Sequence, residues 1–287
     1  MIALGDARYP PLLAKIHDPP ARLWVKGEMD PAATCVAIVG TRHSTRYGEE
    51  AARGLARMLA ARGAWVVSGL ARGIDAAAHR GALEAGGKTI AVLGSGVDVI
   101  YPSEHRQLAA DVARHGALVS EYPPNQAPGK YTFIQRNRII AGLSVITVVA
   151  ESPMNGGAMT TADFACEQGR TVGAVPGRID QAGSAGCHQL IREGAALVTG
   201  AEDLFAELGF AVVAAGAGVI APVGASRRAP SGQDERLIVA ALREGERLGL
   251  DELIARSRLP AARASATVLA LELKGTIVKR PDGRYEA

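Results

Sequence analysis

The chain is poor in the features that mark several large classes of protein. It has only three cysteines in 287 residues, widely spaced, so it carries neither a disulfide framework nor a Cys-x-x-Cys zinc pair. No apolar run reaches the roughly 18 residues that a membrane span needs. The first residues lack the basic and apolar regions of a signal peptide. These absences predict a protein with free thiols in a reducing cytoplasm and with no membrane segment.

Charge and aromatic residues are scarce as well. The formal net charge is only +3, and 4% of the residues are aromatic, so any site for an anion has to be built locally. The sequence has no GxxxxGK[ST] phosphate loop, no complete GxGxxG dinucleotide fingerprint, no GxSxG nucleophile elbow and no HExxH zinc motif. We therefore expect no metal, no cofactor and no ATP hydrolysis of the usual kind.

What the chain does have is a regular alternation of short apolar runs and stretches of helical period. Most runs are β-branched and free of charge, as parallel strands covered on both faces are. The runs lie at 35–40, 64–69, 88–94, 117–121, 144–150, 171–177 and 195–200, and helices are predicted at 47–62, 75–86, 103–115 and 161–168. This pattern predicts an α/β fold with an extended Rossmann-like, doubly wound, mostly parallel sheet over 35–210. Residues 1–34 are expected to be an N-terminal extension that packs on it.

The last quarter of the chain changes character. Residues 211–232 are rich in Ala, Gly, Pro and Ser and predict a linker. Residues 233–287 then predict three helices and a hairpin around a Pro-Asp-Gly turn, which is the plan of a small winged-helix domain. The third helix offers only Arg263 and Lys274 as cations, so a regulator of duplex DNA led by this domain is a weaker hypothesis.

Three glycine-bearing loops follow predicted strands, and parallel strands expose their carboxyl ends at one edge of the sheet. Small residues there can aim backbone N–H groups at an anion. The loops supply Gly40, Thr41 and Arg42; Ser68, Gly69 and Arg72; and Asn155, Gly156, Gly157 and Thr160. Together they predict a ligand rich in phosphate.

The segment 130–138 is the most distinctive piece of sequence. It carries Lys130, Phe133, Arg136, Asn137 and Arg138, with three cations and no acid in nine residues. Cations neutralise phosphates and an aromatic ring stacks on an unpaired base, which favours single-stranded nucleic acid. A solvated helix start with a core phenylalanine is the alternative.

One further pair is ambiguous. Asp75 and His79 lie four residues apart on a predicted helix and could form a catalytic or metal pair. The favoured interpretation is a helix-start aspartate beside a hydrogen-bonded structural histidine.

In order and spacing, these pieces resemble the DNA-processing protein A family (DprA, also called Smf). The matching segments include YPPLLAKIHDPPARLWVKG, AIVGTR, VVSGLARGIDAAAH, AVLGSGVDVIYPSEH, LVSEYPP, FIQRNRIIAGLS, GGAMTTADFACEQGR and VPGRID, between Tyr9 and about Ala195. Two departures stand out. Only eight residues precede Tyr9, where many members have a helical SAM-like domain, and Cys187-His188 replaces the Asn of the family's GxN motif.

The resemblance implies a single-stranded DNA-binding recombination mediator that protects incoming DNA and loads RecA during natural transformation. It implies a homodimer that does not turn over a substrate. By motif, Arg42, Lys130, Phe133, Arg136 and Arg138 would line the DNA pocket. Ser68, Gly69 and the 155–157 loop would form its anion-binding floor.

A rival hypothesis is a nucleotide-binding hydrolase of the phosphoribohydrolase type, which shares a Rossmann-like fold. Its PGGxGT-type loop is only partly matched by 156–160, with Glu151 nearby. Cleavage needs a carboxylate positioned beside the sugar, and no second acid lies in the phosphate loops.

Overall fold

The computed structural model describes residues 1–208, 233–242, 248–273, 277–279 and 284–286. The chain divides into two compact units, residues 1–220 and 221–287. The predicted linker at 211–232 lies outside the described residues. Within the described part, every helix is too short or too polar to cross a membrane.

The larger unit is built on a nine-stranded sheet. The strands are β1 (Ile2–Ala3), β2 (Arg22–Gly27), β3 (Cys35–Gly40), β4 (Trp65–Ser68), β5 (Thr89–Val92), β6 (Ala117–Ser120), β7 (Ile146–Glu151), β8 (Thr171–Ala174) and β9 (Ala196–Leu197). Their order is β1-β2-β6-β5-β4-β3-β7-β8-β9, and all neighbours from β6 to β9 are parallel. The predicted mostly parallel α/β fold is confirmed.

Seven helices accompany this sheet in the described residues. They are α1 (Arg46–Ala61), α2 (Ile74–Glu84), α3 (Arg106–His115), α4 (Lys130–Leu143), α5 (Gly157–Glu167), α6 (Ala185–Arg192) and α7 (Ala201–Glu207). Alternate residues of β3 enter different apolar clusters. Val36 and Ile38 pack with α1 and α2, whereas Ala37 and Val39 pack with α4 and α5. Both faces of the sheet are thus covered, which explains the charge-free strand runs.

The sequence pattern did not predict β1 and β2. Strand β2 pairs antiparallel with β6, and β1 pairs antiparallel with β2 at the edge of the sheet. Arg22, Lys26 and Gly27 on β2 are exposed, so this strand lacks the apolar run of a central strand.

The order of the strands creates a switch point. After β3 the chain adds β4, β5 and β6 on one side, and then crosses through α4 to place β7 on the other side of β3. The loops that follow β3 and β7 therefore leave in different directions and open a crevice at their carboxyl ends. Open α/β sheets bind ligands in such a crevice.

In its described residues the smaller unit has three helices and a short hairpin, as predicted for a winged-helix domain. These are α8 (Gln233–Ala241), α9 (Leu250–Ser257), α10 (Ala261–Leu273), β10 (Val278–Lys279) and the antiparallel β11 (Tyr285–Glu286). Ile238, Leu253, Leu271 and Tyr285 share one apolar core. The predicted Pro-Asp-Gly turn lies outside the described residues.

Candidate nucleic-acid interface

A cavity of about 340 Å³ opens at the switch point. Its lining includes Gly40, Thr41, Arg42 and His43 after β3, Phe133, Ile134, Arg136 and Asn137 on α4, and Gly156, Gly157 and Thr160 at the start of α5. A narrower cleft adjoins it. The two share Arg42, Ala71, Phe133 and Arg136, and the cleft adds Gly69, Arg72, Tyr101 and Pro102. The fold thus brings most of the predicted site residues together.

The loop after β3 is fixed by a close approach and a helix cap. A Cβ on Gly40 would collide with the Ile74 side chain and come within 2.7 Å of the Glu151 carbonyl oxygen, so only glycine fits. Thr45 caps α1 by accepting a hydrogen bond from the Gly48 N–H at 3.1 Å. These contacts leave the Arg42 side chain exposed at the mouth of the cavity.

Helix α4 is anchored beside this loop by its first turn. The Thr132 hydroxyl donates to the Gly94 carbonyl at 2.5 Å and accepts from the Gly129 N–H at 2.9 Å. Phe133 is consequently half-buried over the cavity, with its ring centroid 5.3 Å from Cζ of Arg42. That distance is within the range of a cation–π contact, so the Arg42 guanidinium lies against the Phe133 ring.

Arg136 forms the floor of both clefts and is not an exposed cation. It is buried, and its Nη1 donates to the carbonyl oxygens of Gly69 at 2.7 Å and of Val92. Burial lowers its pKa to about 10, and the Asp75 carboxylate opposes that shift. Arg136 therefore stays charged at neutral pH, but its Nη1 is hydrogen-bonded to backbone carbonyl groups at the ends of β4 and β5. Its effect on a ligand is through its positive field.

Ser68 and the Gly69 amide, which the sequence predicts to bind an anion, are hydrogen-bonded within the chain. The Ser68 hydroxyl is buried and donates to the Ile38 carbonyl at 2.7 Å. The N–H groups of Gly69 and Ala71 donate to Oδ2 of Asp75 at 3.1 and 3.3 Å. The chain thus supplies its own anion, the Asp75 carboxylate, to these two amides.

Arg138 also lies away from the cavity. Its guanidinium binds both carboxylate oxygens of Glu121 at 2.7 Å and one oxygen of Asp18 at 3.2 Å. Arg138 is five residues after Phe133 on α4, which places the two side chains about 140° apart around the helix axis. Arg138 is therefore a buried structural cation that ties α4 to the N-terminal segment.

The start of α5 also lines the cavity. Gly156 and Gly157 expose the first turn of the helix, and its N-terminal N–H groups carry a partial positive charge. The Asn137 side chain lines the cavity and donates to the Gly157 carbonyl at 3.2 Å, which joins α4 to α5. Asn155 is exposed and outside the cavity lining.

Lys130 is the other predicted cation outside the cavity. It is the exposed first residue of α4, and it forms no ion pair with any other described residue. It sits one helical turn before Phe133, so it can reach a phosphate only if a ligand extends beyond the cavity.

Sequence reasoning missed several lining residues. His43 follows Arg42 directly, and adjacency was the only available signal. Ile134 is half-exposed beside Phe133, and Tyr101 sits with its ring centroid 5.4 Å from that of Phe133. Tyr101 lies 32 residues before Phe133 in the chain, so only the fold brings them together.

Asp75 and His79 each have hydrogen-bond partners elsewhere in the chain. Nδ1 of His79 lies 2.8 Å from the Thr89 hydroxyl, and its burial lowers the pKa to about 3. Asp75 accepts the loop amides described above, and burial raises its pKa. The structural interpretation of this pair therefore fits the geometry. Among the described residues, no three His, Cys, Asp or Glu side chains cluster as metal ligands.

This fold and cavity define a Rossmann-like α/β protein with a cationic, aromatic-bearing site at the switch point. Residues 1–209 match the family described as DNA recombination-mediator protein A, and residues 224–283 match the DprA winged helix domain. The chain belongs to this family.

The chain is similar to relatives from several bacteria. It is 45% identical over 210 residues to the DNA processing protein DprA of Streptococcus pneumoniae, covering 71% of this chain and 73% of that protein. The X-ray structure of DprA from that organism superposes with a TM-score of 0.69, at 42% identity, over 72% of this chain and 73% of that one. The Helicobacter pylori DNA processing protein A, whose structure is described for its single-stranded DNA binding mode, gives a TM-score of 0.64 at 30% identity, over 69% and 92%.

Proposed function

We propose that this protein binds single-stranded DNA in the cavity between β3 and β7. The observation that carries the proposal is the Arg42–Phe133 pair, with its 5.3 Å separation, at the mouth of that cavity. A half-buried aromatic ring can stack on an unpaired base, while the neighbouring guanidinium binds the phosphate beside it. Neither contact reads the edge of a base, so binding is independent of sequence.

The surroundings of the pair support the same ligand. The first turn of α5 adds N-terminal N–H groups, Arg136 adds a positive field, and Lys130 extends the cationic surface along α4. Single-stranded DNA binding by the similar Helicobacter pylori protein is a further support. A duplex has its bases stacked inside, so it cannot offer one to Phe133.

The wider role that we propose is that of a recombination mediator. The protein would act in the cytoplasm as a homodimer, protect incoming single strands and load RecA on them during natural transformation. The support for this role is membership of the recombination-mediator family and the resemblance of the motifs. We propose binding without turnover, and no cofactor.

The hydrolase hypothesis lacks a carboxylate in the required place. Glu151 is buried, and its Oε2 accepts from the Thr45 N–H at 3.0 Å and from the Thr45 hydroxyl at 2.9 Å. Glu151 thus holds Thr45, the N-cap residue of α1, and it is outside the cavity lining. Asp75 lines the cavity but is engaged by backbone amides.

A fluorescence anisotropy titration tests the binding proposal directly. Labelled oligo(dT) and a duplex of equal length are titrated over a series of salt concentrations. We expect preference for the single strand and an affinity that falls linearly on a log–log salt plot. Equal affinity for duplex, or release of free base from nucleoside monophosphates, would overturn it. Loading is tested by RecA filament formation on strands coated with single-strand binding protein, and light scattering gives the oligomeric state.

A further inference from the structure

Tyr101 is an exposed aromatic residue next to the candidate site, in the segment between β5 and α3. Its side chain is 45% exposed, although it lies beside a well-packed sheet. Its ring contacts Phe133 at a centroid distance of 5.4 Å and an interplanar angle of 43°. Nearly half of the surface of Tyr101 therefore remains accessible beside Phe133.

The cleft around Tyr101 is continuous with the main cavity. Both are lined by Arg42 and Phe133, and Tyr101 and Pro102 form the side of the cleft that the cavity does not share. A strand with one base in the cavity would therefore have the Tyr101 ring within its reach, next to the Arg42–Phe133 pair.

We propose that Tyr101 is a second base-stacking subsite, which takes a nucleotide one or two positions along the same single strand. This inference rests on the proposed function, because its ligand is the strand held in the cavity. It extends the site from one nucleotide to a short run and assigns a binding role to the segment between β5 and α3. The chemical class of the ligand is an unpaired nucleotide of any base, since stacking uses the π-face alone.

Arg72 provides the phosphate partner of this subsite. It lines the same cleft, and its Nε and Nη2 pair with Glu104 at 2.5 Å. A guanidinium carries five N–H donors, and Nη1 has no partner among the described residues. Glu104 thus orients the planar group while Nη1 stays available to a phosphate that follows the stacked base.

Substitutions of Tyr101 test the proposal in the full chain, with oligo(dT) long enough to fill both subsites. Tyr101→Ala is expected to weaken binding by roughly tenfold, the loss of one base–aromatic stack. Tyr101→Phe keeps the ring and is expected to bind close to wild type. Tyr47→Ala, at another half-exposed tyrosine with 49% exposure, is the matched control and is expected to leave affinity unchanged.

Tyr101→Leu separates stacking from support of Phe133. Leucine keeps an apolar side chain against Phe133 but offers no aromatic face, so it should lose as much affinity as alanine. Wild-type affinity in Tyr101→Leu or Tyr101→Ala would overturn the subsite. If Phe133→Ala and Arg42→Ala are also without effect, the proposed function itself has failed. If those two weaken binding and the Tyr101 variants do not, only the second subsite is refuted. Thermal unfolding of each variant verifies that it is folded.

Discussion

Arg42→Ala is the substitution that most directly probes the cavity. The side chain is exposed after the end of β3, and it contacts the Phe133 ring. Removing it deletes the guanidinium that would meet a phosphate while leaving the Gly40 turn and the Thr45 cap intact. We therefore expect a large loss of affinity with a nearly unchanged fold.

The magnitudes follow from the contacts. A hydrogen bond to a charged group contributes about 1.5–3 kcal/mol, so the dissociation constant for oligo(dT) should rise roughly 10- to 100-fold. Losing one phosphate contact on a single strand should also lower the log–log salt slope by about 0.7. An exposed cation–π pair contributes only about 0.5–1 kcal/mol to folding. The melting temperature should thus fall by no more than about 4 °C.

The assay is anisotropy at several salt concentrations, with Arg46→Ala as the matched control. Arg46 is also an exposed arginine at the start of α1, paired with Glu50, and it is outside the cavity lining. Arg42→Lys should give an intermediate affinity, because lysine keeps the charge but not the planar donor array. Unchanged affinity and salt slope in Arg42→Ala would refute the assignment of the cavity as the DNA site.

Four other outcomes are expected. Arg138→Ala leaves the largely buried Glu121 carboxylate unpaired, so the free energy of unfolding should fall by about 3 kcal/mol in chemical denaturation, while DNA affinity of the folded protein is unchanged. Lys130→Ala should weaken single-strand binding by about 1 kcal/mol in a titration without changing the melting temperature. The pKa of His79 is lowered in the folded protein. Below pH 6.5 the His79 imidazole is therefore protonated in the unfolded chain but stays neutral in the folded chain. Stability should therefore drop by about 2 kcal/mol from pH 6.5 to 5, and less in His79→Gln. A 1–230 fragment, without residues 231–287, should stay folded in calorimetry and bind single-stranded DNA; loss of binding by a folded fragment would assign the DNA site to the other unit.

The sequence predicted the sheet well because buried parallel strands leave a strong signal. The run at 35–40 coincides with β3, and the other six predicted runs overlap strands β4 to β9. The antiparallel β2 was not predicted, because a strand with exposed Arg22 and Lys26 has no uninterrupted apolar run.

The candidate site was predictable only in part. Loop residues such as Arg42 and Gly157 follow from the rule that ligands meet the carboxyl ends of strands. The orientation of side chains on α4 did not follow, because charge alone does not tell a ligand-facing arginine from a buried one. Glu121 binds Arg138, and the Asp75 carboxylate interacts electrostatically with Arg136. Each acid is distant in sequence from its arginine, so these pairings depend on the fold.

The internal pairing of Asp75 also accounts for the missing nucleotide fingerprint. In a dinucleotide-binding fold, glycine-rich loops turn free N–H groups towards a pyrophosphate. Here the N–H groups of Gly69 and Ala71 are occupied by the Asp75 carboxylate, and Arg136 neutralises that charge from within. The donors that line the cavity include the Arg42 guanidinium and the N-terminal N–H groups of α5. Dispersed donors around an aromatic ring suit an extended polyanion with unpaired bases better than the compact phosphates of a free nucleotide.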